Sequence, residues 1–244
     1  MITDKHKMAQ MPISEVLGYL VEYSIRVLRE NEPEEGYYLC FSGGKDSQLI
    51  YHLAKEAGVK FDAHYSVTTI DPPEVTRFIK KAYPDVIWHH PKRSFAKECV
   101  RKGILPTRSR RWCCQIFKEY GGDGRVVVLG IRSGESSKRS RREEKTSTKK
   151  KTTLSPILHW PEFAVWEYLE MSGIESCSLY DEPGIDRIGC VLCPVSSVKK
   201  RQHEMKRWPQ YKKLFIKVCR DIKASGKGDQ SQSPEELFDW WISW

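Results

Sequence analysis

The sequence lacks any long hydrophobic run. No stretch of its 244 residues approaches the roughly 18 consecutive apolar residues that a membrane-spanning helix needs. Residues 1–7 also lack the apolar core that is typical of a secretory signal. We therefore expect a cytoplasmic, globular chain with no membrane partner, long enough for one large α/β domain or one domain with an appendage.

The sequence also lacks the regular cysteine spacing of a disulfide scaffold, although it contains eight cysteines. Disulfides are rare in the cytoplasm, so metal binding or catalysis is the better explanation for these thiols. Cys113 and Cys114 are adjacent, and Cys190 and Cys193 form a Cys-x-x-Cys pair followed by Pro194. Four such thiolates can enclose a [4Fe–4S] cluster or a tetrahedral zinc ion.

The adjacent pair favours the cluster over zinc. A cubane offers four separate iron corners, whereas neighbouring cysteines reach a single zinc atom only with backbone strain. Zinc and unligated structural thiols remain the alternatives. The pattern leaves open whether one iron is accessible to another ligand.

The sequence has no Walker A spacing, but it contains another glycine-rich loop. Residues 37–41 are apolar and predict a buried strand, and residues 48–55 predict a helix. The residues between them are Ser42, Gly43, Gly44, Lys45, Asp46 and Ser47. The glycines allow close backbone approach, and the first N–H groups of the helix point towards an anion. Lys45 adds a positive charge, so we predict an anion site here.

The charge is unevenly distributed. The net charge is +9, from 41 Lys and Arg against 32 Asp and Glu, and residues 138–151 carry much of the excess. Such a segment attracts polyanions, although a solvated loop is an equal alternative. We predict contacts with nucleic acid at Arg108, Arg110, Arg111, Lys138, Arg139, Arg141 and Arg142.

Strand and helix patterns alternate along most of the chain. Strands are predicted at 37–41, 61–67, 86–89 and 126–131, with helical patterns between them. This alternation predicts an α/β fold with a mostly parallel, Rossmann-like sheet and helices on both faces. Residues 138–153 contain few apolar side chains and are predicted to be a loop. An irregular cysteine-containing region and a further helix follow.

The predicted organisation has three parts. They are an N-terminal helix in 1–36, a nucleotide-binding domain with the cysteine site in 37–195, and a C-terminal helical extension with an aromatic tail in 196–244. The tail contains Trp240, Trp241 and Trp244, which either dock a partner or pack on the body of the protein.

The loop Ser-Gly-Gly-Lys-Asp-Ser resembles the pyrophosphate loop of the ATP pyrophosphatases and phosphoadenosine phosphosulfate reductases. Three further segments are similar to that family: 105–118 before the first cysteine pair, 129–136 with Arg139, and 179–190 before the second pair. Together the marks run over 38–194. The resemblance implies an adenine nucleotide alpha hydrolase-like fold.

The resemblance also implies the nucleotide site. Arg132 is expected to face the phosphates and Glu135 to orient the loop, with Lys45, Asp46 and Arg132 as the catalytic set. Thr68 follows the second strand, in a segment that departs from the Asp-Thr-Gly of the reductases. ATP with Mg²⁺, the metal held mainly by phosphates, is expected at Ser42, Gly43, Gly44, Lys45, Asp46, Ser47, Thr68, Gly130, Arg132 and Glu135.

The cysteine pattern is similar to that of adenylylsulfate reductases and of the ATP pyrophosphatase in DNA phosphorothioation systems. It implies a [4Fe–4S] cluster on Cys113, Cys114, Cys190 and Cys193. The reductases share a C-terminal motif with a nucleophilic cysteine, whereas this sequence has no cysteine after Cys219.

We therefore expect an ATP-dependent adenylating sulfurtransferase that modifies DNA or tRNA. Its expected partner protein is a sulfur donor such as a cysteine desulfurase. The chain is also expected to form a homodimer or to join a larger complex. An adenylylsulfate or phosphoadenylylsulfate reductase is the alternative. A nucleotide-sensing subunit without catalytic activity is a third possibility.

Overall fold

The computed structural model describes residues 11–243 of the chain. They form two compact units. The first unit extends to Tyr65 and also includes Phe78–Ile87 and Gly122–Cys177. The second unit combines Ser66–Arg77 and Trp88–Gly121 with the residues from Ser178 onwards. The three-part division predicted from the sequence stays a prediction.

Helices and strands alternate through the first two-thirds of the chain, and helices dominate the rest. The strands are β1 (Tyr37–Phe41), β2 (Phe61–Ser66), β3 (Ile87–His89), β4 (Val126–Val128), β5 (Lys145–Ser147) and β6 (Thr152–Leu154). The α-helices are α1 (Ile13–Glu30), α2 (Lys45–Ala57), α3 (Pro73–Ala82), α4 (Phe95–Lys102), α5 (Trp112–Phe117), α6 (Glu162–Met171), α7 (Val198–Arg207), α8 (Pro209–Ala224) and α9 (Pro234–Ser243).

The six strands form one sheet in the order β3-β2-β1-β4-β6-β5. β1 pairs in parallel with β2 and β4, and β4 pairs in parallel with β6. β5 pairs with β6 in the antiparallel direction. The predicted mostly parallel α/β fold is therefore confirmed. The carboxyl end of central β1 leads directly into loop 42–47, so the sheet fixes where that loop begins.

The basic segment is not the continuous loop that its composition predicts. It contains β5 and β6, and β6 pairs along β4 from Val126↔Thr152 to Val128↔Leu154. The many lysines of the segment hide the strand pattern of β6 in the sequence. β6 nevertheless forms, since Thr152 and Thr153 are β-branched and Leu154 is buried. The prediction of a strand over 126–131 is too long, because β4 ends at Val128.

The aromatic tail forms a helix that packs within the second unit. Phe215 of α8 stacks on Trp241 of α9 with ring centroids 4.9 Å apart. The Trp241 indole N–H donates a hydrogen bond to the Pro106 carbonyl at 2.6 Å. Trp241 therefore follows the packing alternative, whereas Trp240 is 46% exposed. Trp244 lies outside the described residues.

None of the helices in 11–243 combines the length and apolar character that crossing a membrane requires.

Candidate functional site

Loop 42–47 wraps around the hydroxyl group of Ser47. Gly43 adopts the left-handed conformation (φ 72°), which permits the sharp turn that a side chain would strain. Gly44 is extended and caps α2. The Ser47 hydroxyl donates to the Gly44 carbonyl at 2.8 Å and accepts from the Ser42 amide at 3.1 Å. The first turn of α2 is thus presented at the end of β1, the geometry of a helix N-terminal anion site.

Gly130 packs directly against this first turn. A Cβ atom at Gly130 would lie 2.9 Å from the Asp46 carbonyl oxygen and 3.2 Å from the Ser47 nitrogen. The neighbouring atoms are backbone, so they cannot rotate away as a flexible side chain would. A glycine at this position is therefore required by close approach of two backbones.

Two buried cations lie beside the loop. Lys45 is 3% exposed and Arg132 is 4% exposed. The Arg132 Nε donates to Asp46 Oδ1 at 2.5 Å. Charged side chains are seldom buried without partners of opposite charge, so these two cations favour anionic groups at this place.

A carboxylate and an indole from α6 complete this group. Glu162 Oε1 lies 3.1 Å from Lys45 Nζ, and Glu162 Oε2 lies 3.9 Å from Arg132 Nη2. The Lys45 ammonium lies 5.4 Å from the centre of the Trp166 ring. The sequence reasoning missed Glu162 and Trp166, because α6 carries no motif and is far from the loop along the chain.

Glu135 holds the segment that follows Gly130. Its carboxylate accepts a hydrogen bond from the Arg132 backbone N–H at 3.0 Å and forms an ion pair with Arg139. Arg139, predicted to contact nucleic acid, is thus engaged beside the site. Lys138, Arg141 and Arg142 are exposed.

Thr68 lies in the second unit rather than in the unit that contains the loop. Its backbone N–H donates to Asp71 Oδ2 at 2.7 Å, and its buried side chain hydrogen-bonds Cys190. The structure thus groups Thr68 with the cysteines.

All four predicted cysteine ligands belong to the second unit. α5 begins at Trp112 and places Cys113 and Cys114 in its first turn. Arg111 Nη2 donates to Cys114 Sγ at 3.5 Å. The hydrogen bond from Cys113, together with the charges of Arg111 and Lys118, lowers the pKa of Cys114. The same Cys113–Cys114 hydrogen bond, with burial, raises the pKa of Cys113.

A tight turn carries the second cysteine pair. Val191 N–H donates to the Ile70 carbonyl at 2.8 Å, and Leu192 is left-handed (φ 57°). The buried Glu204 carboxylate accepts from the Leu192 N–H at 2.7 Å. Burial raises the pKa of Cys190, and the nearby Lys118 opposes that effect. Glu204 thus fixes this turn, a role that no motif in the sequence indicates.

The two cysteine pairs interact electrostatically, since the charges of Cys190 and Cys193 contribute to the raised pKa of Cys113. As the side chains stand, residues 11–243 contain no group of three or more His, Cys, Asp or Glu side chains that could hold a metal ion.

A buried arginine lies near this group. Arg201 of α7 is 1% exposed; burial and the nearby charge of Arg108 lower its pKa, whereas the charge of Cys193 opposes that effect. Arg201 Nη1 donates to the Trp241 carbonyl at 3.3 Å, whereas its Nε and Nη2 have no hydrogen-bond partner. Trp112 Nε1 is also buried without a partner.

The arginines predicted to contact nucleic acid differ in their surroundings. Arg108 donates to the carbonyls of Val195 and Ser196 at 3.1 and 3.2 Å. Arg110 and Arg111 are exposed, and Arg111 also contacts Cys114 as described above.

Comparison with known proteins gives a consistent set of relatives. The chain is 29% identical over 218 residues to an uncharacterized protein of Methanocaldococcus jannaschii, covering 83% of this chain and 45% of that protein. It thus spans less than half of that relative. It is 26% identical over 187 residues to the adenosine 5'-phosphosulfate reductase of Oceanobacillus iheyensis, covering 70% of this chain and 76% of that enzyme.

A solved structure shares the fold. The phosphoadenylyl-sulfate reductase of Candida auris, in a phosphate complex, superposes with a TM-score of 0.54 at 18% identity, covering 74% of this chain and 95% of that one. Residues 36–196 match the phosphoadenosine phosphosulfate reductase domain. The structural likeness shows the fold, and the family match extends over more than half of the chain. The chain belongs to the phosphoadenosine phosphosulfate reductase domain family.

Proposed function

We propose that this protein is an adenylating sulfurtransferase that binds ATP at loop 42–47. The observation that carries the proposal is a pair of buried cations, Lys45 in the first turn of α2 and Arg132 beside that turn. A triphosphate supplies the negative charge that two buried cations and a helix N-terminus favour. Gly43 permits the sharp turn of the loop, and Gly130 lets the segment after β4 pack closely against the first turn of α2.

The proposed reaction begins at the α-phosphorus of ATP. An oxygen of the acceptor attacks this phosphorus and forms a new P–O bond, while the bond to the β-phosphate breaks and its electron pair leaves with pyrophosphate. Lys45 and Arg132 stabilise the negative charge on the leaving group. Mg²⁺ accompanies the phosphates as their counter-ion. A sulfur nucleophile from a donor protein then displaces AMP from the acceptor.

The proposed acceptor is nucleic acid. Exposed Lys138, Arg141 and Arg142 precede the β5–β6 hairpin, in which Lys145, Lys149 and Lys150 are also exposed. A cluster of solvated cations binds phosphate backbones by releasing counterions, so its affinity falls steeply with salt. Arg139 is less suited to this role, because Glu135 already neutralises it.

The four cysteines suit a [4Fe–4S] cluster. Such clusters take four thiolates, and hydrogen bonds to their sulfur atoms and nearby charges tune their reduction potentials. Arg111 and Lys118 lie beside the thiols, and Arg201 carries buried N–H groups that lack acceptors. N–H groups of this kind are suited to hydrogen-bond the sulfur atoms of a cluster. Held by all four cysteines, a cluster contributes structure and electrostatics.

A sulfonucleotide reductase is the second candidate, favoured by the likeness to the Oceanobacillus enzyme over 70% of this chain. That chemistry requires a reactive thiolate besides any cluster ligands. Of the other cysteines in 11–243, Cys99, Cys177 and Cys219 are buried. Burial raises the pKa of Cys40 to about 11. These four thiols are poorly suited to attack, which favours the adenylating reaction.

Two product assays on the anaerobically purified protein test this choice. We expect pyrophosphate release from ATP, stimulated by DNA or by tRNA and suppressed as salt rises. The parallel assay supplies adenylylsulfate with thioredoxin and measures sulfite. Sulfite release without pyrophosphate release would establish the reductase instead.

A further inference from the structure

Glu162 contacts both of the cations that the proposed function assigns to phosphate. Its two carboxylate oxygens are divided between them, with Oε1 3.1 Å from Lys45 Nζ and Oε2 3.9 Å from Arg132 Nη2. A bridging carboxylate of this kind occupies the same face of the cations that a phosphate group would use. The contact involves only residues of the first unit.

The two carboxylates of this group differ in how firmly they are held. Asp46 belongs to the loop itself, is 21% exposed as a side chain, and forms a 2.5 Å hydrogen bond with Arg132. The Glu162 side chain is 55% exposed and comes from the first residue of α6. Because the Glu162 carboxylate is half-exposed, water solvates it once the contact with the cations is released.

The Glu162 carboxylate remains stabilised after it leaves the two cations. It lies in the first turn of α6, where the helix dipole and unpaired backbone N–H groups stabilise a negative charge. Rotation about its side-chain bonds moves the carboxylate from the cations towards solvent without moving the helix. Release of the contact therefore requires no rearrangement of the fold.

We propose that Glu162 is a displaceable counter-ion of the nucleotide site. It neutralises Lys45 and Arg132 before binding, and a polyphosphate replaces it. Because like charges repel, Glu162 and a phosphate group cannot share the same two cations. Only an anion that brings several charges, such as pyrophosphate or a nucleoside triphosphate, competes well. Inorganic phosphate carries less charge and competes less well against the same carboxylate.

The test is calorimetric titration of the full chain with pyrophosphate and with inorganic phosphate. In Glu162→Gln the shape is preserved and the charge is removed, so we expect about three- to tenfold tighter binding of both anions, in line with the loss of a half-exposed charge contact. Glu170→Gln is the matched control, since Glu170 is an exposed glutamate of the same helix. It should bind both anions as the wild type does.

The outcomes separate this inference from the proposed function on which it rests. If the wild type binds pyrophosphate and Glu162→Gln binds it equally well, the counter-ion role is wrong and the nucleotide site stands. If Glu162→Gln binds pyrophosphate more weakly than the wild type does, and this difference appears only when Mg²⁺ is present, Glu162 is instead a metal ligand. If neither protein binds pyrophosphate or ATP, both the site and the counter-ion role are wrong.

Discussion

At the scale of single residues, the closest packing constraint on the site is at Gly130. In Gly130→Ala the new methyl group would lie 2.9 Å from the Asp46 carbonyl oxygen and would push back the first turn of α2. The turn, which includes Lys45, would lose its alignment with Arg132. We expect ATP affinity to fall by at least about tenfold, which corresponds to roughly 1.4 kcal/mol.

Gly134→Ala provides the matched control for this change. No atom lies within 4 Å of a Cβ added at Gly134, which is four residues further along the same segment. This variant should bind ATP normally. Equal ATP affinities for the two variants would show that close approach at Gly130 does not position the loop.

The sequence allowed the loop to be predicted at this scale because all its parts are local. Gly43, Gly44 and Lys45 are consecutive, and their spacing alone indicates an anion site. Glu162 and Glu204 could not be predicted in the same way, because each acts across a long separation in the chain. Their roles depend on how helices pack, and a single glutamate in a helix carries no local signal.

At the scale of secondary-structure elements, Arg125 joins the starts of three segments in the first unit. Arg125 Nη1 and Nη2 donate to the two Asp62 carboxylate oxygens at 2.9 and 2.6 Å, and Nη2 also donates to the Gly36 carbonyl at 2.9 Å. The His64 Nε2 hydrogen-bonds the Asp62 carboxylate, and the His64 ring stacks on Tyr38. Burial by itself raises the pKa of Asp62, but the contacts with Arg125 and His64 outweigh it and lower the pKa overall.

This arrangement predicts that the free energy of unfolding falls at acid pH. A carboxylate with a lowered pKa stabilises the fold above its unfolded value of about 3.9, and the contribution is lost as the pH falls through its lower folded value. In Asp62→Asn this contribution is absent at every pH. We expect the free energy of unfolding in urea to fall less between about pH 6 and pH 2.5 in the variant than in the wild type.

Asp123→Asn is the control for this acid dependence, since Asp123 is an exposed carboxylate close to Arg125 in the chain. Its unfolding free energy should follow the wild-type pH profile. An Asp62→Asn profile parallel to that of the wild type would show that the Asp62–Arg125 contact does not stabilise the sheet.

The strands show the limit of sequence reasoning at the same scale. β1 was predictable because it is a continuous apolar run, whereas β5 and β6 lie in a segment rich in lysine and threonine. β6 exists because it pairs with β4, a partner distant in sequence. Pairing at the edge of a sheet leaves weak periodicity, and composition then favours a loop.

At the scale of the whole molecule, the four cysteines come from two distant segments that the second unit brings into electrostatic range. Their grouping followed from spacing and from resemblance to a known family. The position of buried Arg201 beside the cysteines could not be predicted, because an arginine in a polar helix is normally expected to be exposed. The parallel order of the sheet was predictable, since alternating strands and helices permit few topologies.

The central claim is that Lys45 and its loop bind the phosphates of ATP, and the most direct measurement is pyrophosphate release by Lys45→Ala. Lys55→Ala is the control, because Lys55 is an exposed lysine near the other end of α2. We expect Lys45→Ala to abolish ATP binding and pyrophosphate release, and Lys55→Ala to retain both. Pyrophosphate release by Lys45→Ala at the wild-type rate would contradict the claim.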